Sequence, residues 1–135
     1  MENKKIKSFR DLDVYQRTYK AGVEVMKKMI PKLPDSEKYD LKDQLARSCK
    51  AIPRLIAEGY AKRHQKHGFQ KYLDDAMAEC NETAVSLCQC RDIYSRFVDV
   101  KLCEELIDTY DISGRQLYRL EEAWSRFQGK NRPTT

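Results

Sequence analysis

Apolar residues recur every three or four positions along four stretches of the chain, and short polar breaks separate the stretches. The first covers residues 12–30. Leu12, Tyr15, Tyr19, Gly22, Met26 and Met29 follow one another at steps of 3, 4, 3, 4 and 3, which sets them on one stripe of a helix. Pro31 and Pro34 end that pattern. The second stretch covers 37–62, with Ser36 as the expected N-cap and Glu37 in the first turn, where a carboxylate suits the helix dipole. Its stripe is Leu41, Leu45, Ser48, Ile52, Leu55, Ile56 and Gly59. Pro53 lies inside it and cannot donate to the carbonyl of Cys49. The apolar phase nevertheless resumes beyond Pro53, so the pattern predicts one continuous, kinked helix.

The third stretch covers 67–94, with Phe69, Tyr72, Leu73, Ala76, Cys80, Thr83, Ala84, Leu87 and Cys88 on one side. The fourth covers 100–127 behind Asp99 as N-cap. Its stripe runs Leu102, Leu106, Tyr110, Ser113, Leu117, Leu120, Trp124 and Phe127, a spacing close to a heptad. Gly114 interrupts it at a cost of about 1 kcal/mol against alanine. Four amphipathic helices with short links predict an all-α fold, an antiparallel up-down four-helix bundle over residues 9–127, with flexible polar tails at 1–8 and 128–135. Val14, Val23, Val25, Ile93, Tyr94 and Tyr118 fall off the stripes, and this surplus predicts contacts with a further copy of the chain.

Composition narrows the class. Five glycines and four prolines in 135 residues are too few for a many-stranded sandwich or barrel. No run reaches the roughly 18 apolar residues of a membrane span, and no apolar segment follows the polar start Met1-Glu2-Asn3-Lys4-Lys5. A cytoplasmic protein that makes no membrane contact is expected. Its five cysteines, Cys49, Cys80, Cys88, Cys90 and Cys103, are odd in number and lack metal-site spacing. They read as reduced, small buried hydrophobes.

Charge is distributed unevenly. The net charge is +5, yet residues 41–71 alone carry eight bases and two acids. Arg47, Lys50 and Arg54 fall within about 60° of one another, opposite the apolar stripe of the second helix. Lys62, Arg63, Lys66 and Lys71 continue the series into the third. Cations one turn apart can follow a phosphate backbone and release its counterions, so these seven residues form the candidate RNA- or DNA-binding strip. Its competing reading is a solvated face whose cations complement a helix C-terminus.

Catalytic and metal motifs are missing. His64 and His67 have no third ligand nearby in sequence and read as loop histidines. Neither a phosphate-binding glycine loop nor a zinc-protease helix motif occurs. Asp74-Asp75 and Glu104-Glu105 are adjacent pairs that do not share a helix face, and they read as surface. The sequence predicts no catalytic residue, no metal and no cofactor.

Several stretches carry a resemblance. They are Phe9-Arg10-Asp11-Leu12-Asp13-Val14-Tyr15-Gln16, then Leu41-x-x-Gln44-Leu45-x-Arg47-Ser48, then Ile52-Pro53-x-x-Ile56-Ala57-Glu58-Gly59-Tyr60, and finally Phe69-x-x-Tyr72-Leu73-x-x-Ala76 followed by Glu82 and Leu87. Together, over about residues 9–94, the chain resembles the bacterial four-helix bundle family encoded in intervening sequences of 23S ribosomal RNA genes. The resemblance implies a protomer that assembles as a homopentameric ring with no enzyme activity. It also implies a relation to the accessory variability determinant of diversity-generating retroelements, a basic pentamer that binds nucleic acid and a reverse transcriptase. Two expectations follow: a non-enzymatic protein that binds RNA or DNA through the basic strip, or a scaffold that holds a protein such as a reverse transcriptase.

Overall fold

The computed structural model describes residues 5–130, with side chains through Phe127. All regular structure among the described residues is helical. A short 3-10 turn, Phe9–Asp11, leads into α1 (Asp13–Glu24), which widens into a π turn at Val25–Met29. After two further 3-10 turns come α2 (Leu41–Ala61), α3 (Gly68–Ile93) and α4 (Val100–Lys130). Each helix packs on two others: α1 on α2 and α4, and α3 on the remaining sides of the same two. The expected tails begin differently. Ser8 caps the first turn in a capping box with Asp11, and α4 runs on to Lys130. The tail positions 1–4 and 131–135 lie outside the described residues.

The second helix is continuous through Pro53, as its in-phase apolar pattern predicts. Leu41, Leu45, Ser48, Ile52, Ile56 and Gly59 are all buried. Pro53 leaves the Cys49 carbonyl without its helical donor, and Gly22 of α1 sits against that carbonyl. A Cβ at Gly22 would come within 3.2 Å of the oxygen.

Three expectations are corrected. Ser36 does not cap α2. It lies in the 3-10 turn Asp35–Glu37, and α2 starts five residues later, where the Glu37 carboxylate accepts from Leu41 N–H at 3.1 Å and from Tyr94 Oη–H at 2.7 Å. A carboxylate one turn upstream thus supplies the cap that Asp40 does not. Next, α1 is rotated from the expected stripe. Val14, Thr18, Ala21, Gly22, Val25 and Met29 face the core, whereas Tyr19 is 56% exposed. The inward stripe is built from smaller residues, which lets α1 lie close on α2. Finally, Val14 and Val25 belong to the core and Tyr94 is half-buried and bonded to Glu37, so these three are not surplus surface. Ile93 and Tyr118 remain exposed, and Val23 is partly so.

Contacts between α2 and α3 run from Glu37–Tyr94 through Ser48–Thr83 to Gly59 against Phe69 and Tyr72. The Thr83 hydroxyl lies 2.8 Å from both Ser48 Oγ and the Glu79 carbonyl, which satisfies polar groups inside an otherwise apolar seam. Asp99 caps α4 through Leu102 N–H at 3.1 Å, as expected. Cys49, Cys80, Cys90 and Cys103 are buried and Cys88 is half-buried; all five are free thiols. Burial pushes Cys49 and Cys103 up to about 11 and Cys80 and Cys90 up to about 12, the opposite of an activated thiol.

Gly114 lies mid-helix with nothing near the place a Cβ would occupy. Gly114→Ala is therefore expected to raise stability by about 1 kcal/mol, the helix-propensity difference. Thermal melting of the variant checks this, and a lower melting temperature would contradict it.

Candidate nucleic-acid interface

The amphipathic register of α2 turns Arg47, Lys50 and Arg54 outward, and all three are exposed. Their surroundings differ. Arg47 Nε lies 3.4 Å from Asp43 Oδ2 one turn earlier, and its positive charge also acts on Glu79 of α3. Arg54 stands between two depressions. On one side it meets Glu58, Asp75 and Glu79; on the other it joins Lys50 at the rim of a groove between α1 and α2. The Glu58 pairing with Arg54 or Lys62 that the spacing allows is not among the ion pairs of the described residues.

The remaining cations cluster where α2 gives way to α3. Lys62 Nζ donates to Tyr72 Oη at 2.6 Å and sits 4.9 Å from the centre of that ring. The hydrogen bond raises the Lys62 pKa above its ordinary value. Arg63 lies 4.0 Å over the Tyr60 ring and donates to the Tyr60 carbonyl at 2.8 Å. These aromatic contacts hold two long side chains in place at the end of α2. The linking turn is tight: His67 adopts a left-handed conformation (φ 59°), and a Cβ on Gly68 would collide with the Lys62 carbonyl. Lys66 and Lys71 are exposed on either side of it. His64 and His67 are exposed loop residues, and no His, Cys, Asp and Glu cluster fit for a metal occurs among the described residues.

One cation escaped the sequence reading. Lys27, in the π turn after α1, lies across the groove from Lys50 and Arg54. The rotation of α1 brings it to the rim, together with Tyr15, which also packs on the core as the spacing predicts, and Tyr19, which does not.

The acidic side of the molecule also departs from expectation. Asp74 and Asp75 are exposed, as are Glu104 and Glu105. Asp74, however, has a partner across the α3–α4 seam. Burial, followed by a hydrogen bond with the Asp74 side chain and the charge beside it, pushes Glu121 up to about 7. The folded chain thus holds the Glu121 proton more tightly than the unfolded chain does, where a glutamate titrates near 4.3. The corresponding stability is complete below the unfolded pKa and is lost as pH rises through about 7. Discounted for its partial exposure, the change is about 1 kcal/mol. Glu121→Gln is expected to remove that loss, so the denaturant midpoints of wild type and variant diverge between pH 5 and pH 8. Parallel profiles would contradict the assignment.

Four amphipathic helices, with cations gathered on α2 and at its junction with α3, define a small basic all-α protein. The chain belongs to the family of 23S rRNA-intervening sequence proteins, which matches residues 10–119. No curated protein and no solved structure matches it. No helix among the described residues is long and apolar enough to cross a membrane.

Proposed function

We propose that this protein is a non-enzymatic, oligomeric, nucleic-acid-associated protein of the cytoplasm that holds RNA or DNA by its phosphates. The observation that carries the reading is the concentration of eight bases against two acids in residues 41–71, with Arg47, Lys50, Arg54, Lys66 and Lys71 exposed. The family name supports it, because it ties members to intervening sequences of 23S rRNA. Phosphate contacts carry little sequence information, so binding is expected to show no strong sequence preference. A salt titration on labelled RNA and DNA tests the proposal. Affinity should fall steeply from about 50 mM to about 200 mM salt through counterion release. No binding at low salt, or binding indifferent to salt, would end it.

The protomer is read as an antiparallel up-down bundle. The order of contacts from Glu37–Tyr94 to Gly59–Tyr72 supports this between α2 and α3. Five protomers are proposed to form the ring that the resemblance implies, which would repeat the basic strip and multiply weak contacts. The exposed Val85, Ile93, Phe97 and Tyr118 support an interface between copies. Light scattering should give five times the 15.9 kDa chain mass; a monomer at micromolar concentration would refute the ring. The same exposed apolar residues support the second reading, a scaffold for a protein such as a reverse transcriptase, which predicts little nucleic-acid binding by the protein alone.

A further inference from the structure

The groove between α1 and α2, about 470 Å³ in volume, is open to solvent and mostly apolar. One wall is aromatic. Phe9 and Tyr15 meet edge to face at 4.9 Å, and Tyr15 and Tyr19 lie 5.9 Å apart at a shallow tilt. Tyr19 is 56% exposed, so part of its ring is open to the groove. The floor is Gly22 against Cys49, with the Pro53 ring beside them. The rim is cationic: Lys27 on one side, Lys50 and Arg54 on the other. None of the three forms an ion pair among the described residues, and no carboxylate lines the groove.

We propose that this groove seats one unpaired base of a single strand against Tyr19, with the flanking phosphates on Lys27, Lys50 and Arg54. The proposal rests on the nucleic-acid reading above and refines it. An apolar cleft alone would suit many occupants. Unpaired cations on both sides of it call for an anion on each side of an apolar group, and a nucleotide chain supplies that pattern. A duplex keeps its bases paired and stacked, so only an unpaired base offers a ring face to Tyr19. Cationic grooves with aromatic platforms bind single strands in this way without strong sequence preference.

Three probes test it: a 12-nucleotide oligothymidine, an abasic strand of the same length, and a 12-base-pair duplex. Tyr19 is exposed, so Tyr19→Ala should fold like the wild type, as circular dichroism can verify. Tyr19→Ala is expected to weaken oligothymidine binding about tenfold or more and to change duplex binding by less than about twofold. Tyr19→Phe should retain single-strand affinity, and the abasic strand should bind the wild type about as weakly as oligothymidine binds Tyr19→Ala. Equal oligothymidine affinity in Tyr19→Ala and wild type, with both probes bound, would overturn this proposal and leave the phosphate-binding reading standing. Equal losses on oligothymidine and duplex would also overturn it. A wild type that binds no probe would overturn both. Light scattering covers the rival occupant: a lower assembly mass in Tyr19→Ala would mean that a second copy of the chain fills the groove, and this would overturn the proposal.

Discussion

The triple change Arg47→Glu, Lys50→Glu and Arg54→Glu is expected to lower nucleic-acid affinity about 100-fold or more at about 50 mM salt while leaving the helices intact. Three phosphate contacts give a salt slope of about −2.7, which alone is worth roughly 40-fold between 50 and 200 mM. Reversing the charges replaces that attraction with repulsion, so the loss at low salt exceeds the neutralisation figure. The slope should become shallower by about three as well. Folding has little at stake. All three side chains are exposed, and the ion pair of Arg47 with Asp43 is a surface contact worth at most about 0.5 kcal/mol. New like-charge neighbours at Asp43 and Glu58 cost a few tenths of a kcal/mol each. Fluorescence anisotropy on labelled RNA and DNA measures the binding, and a thermal melt verifies the fold. Unchanged affinity in a folded variant would make the strip a solvated face and leave the scaffold reading in possession.

The helices were legible in the sequence because apolar residues recur at helical spacing along each of them. In α2, Leu41, Leu45, Ile52 and Ile56 have polar residues behind them, so the 3.6-residue period fixes the inward face and even carries the reading across Pro53. In α1 the period is ambiguous. Tyr15, Tyr19 and Met26 form one stripe and Val14, Thr18, Ala21 and Val25 another, both at helical spacing. Ring size favours the tyrosines, but the close approach of Gly22 to the freed Cys49 carbonyl turns Val14, Thr18, Ala21 and Val25 inward, with Tyr15 and Met26 half-buried beside the core and Tyr19 outside it. The wide turn at Val25–Met29, which leaves no trace in a hydrophobic pattern, completes the path to Pro31.

The candidate site was legible as charge and not as geometry. Positions opposite the α2 stripe had to be exposed, and Arg47, Lys50 and Arg54 are. Which cations are held by aromatic rings depends on contacts between helices. Lys62 meets Tyr72 of α3 across the turn, and Lys27 reaches the groove only because α1 is rotated. The Glu121–Asp74 pair was hidden for the same reason, since its partners are far apart in sequence and meet across the α3–α4 seam.

Gly59→Ala is expected to destabilise the protein by about 1 kcal/mol, although alanine is the better helix former. By propensity alone the change would stabilise α2 by about 1 kcal/mol. The site forbids it. Gly59 is buried where α2 meets the first turns of α3, and a Cβ there would lie 2.7 Å from Tyr72 Cβ and 3.1 Å from Phe69 Cδ1. The tyrosine Cβ is fixed to its backbone and cannot swing away. Phe69 is itself wedged edge-on between Tyr60 and Trp124, at 6.2 and 5.3 Å between ring centres. The helices must therefore separate, and overpacking of this kind costs about 1–3 kcal/mol, occasionally more. The strain falls on the junction that holds Lys62 over Tyr72. Denaturant unfolding of Gly59→Ala beside Gly114→Ala gives the comparison, with opposite signs expected for the same substitution in two helices. A stabilised Gly59→Ala would show that α2 and α3 lie farther apart at this point than the structure places them.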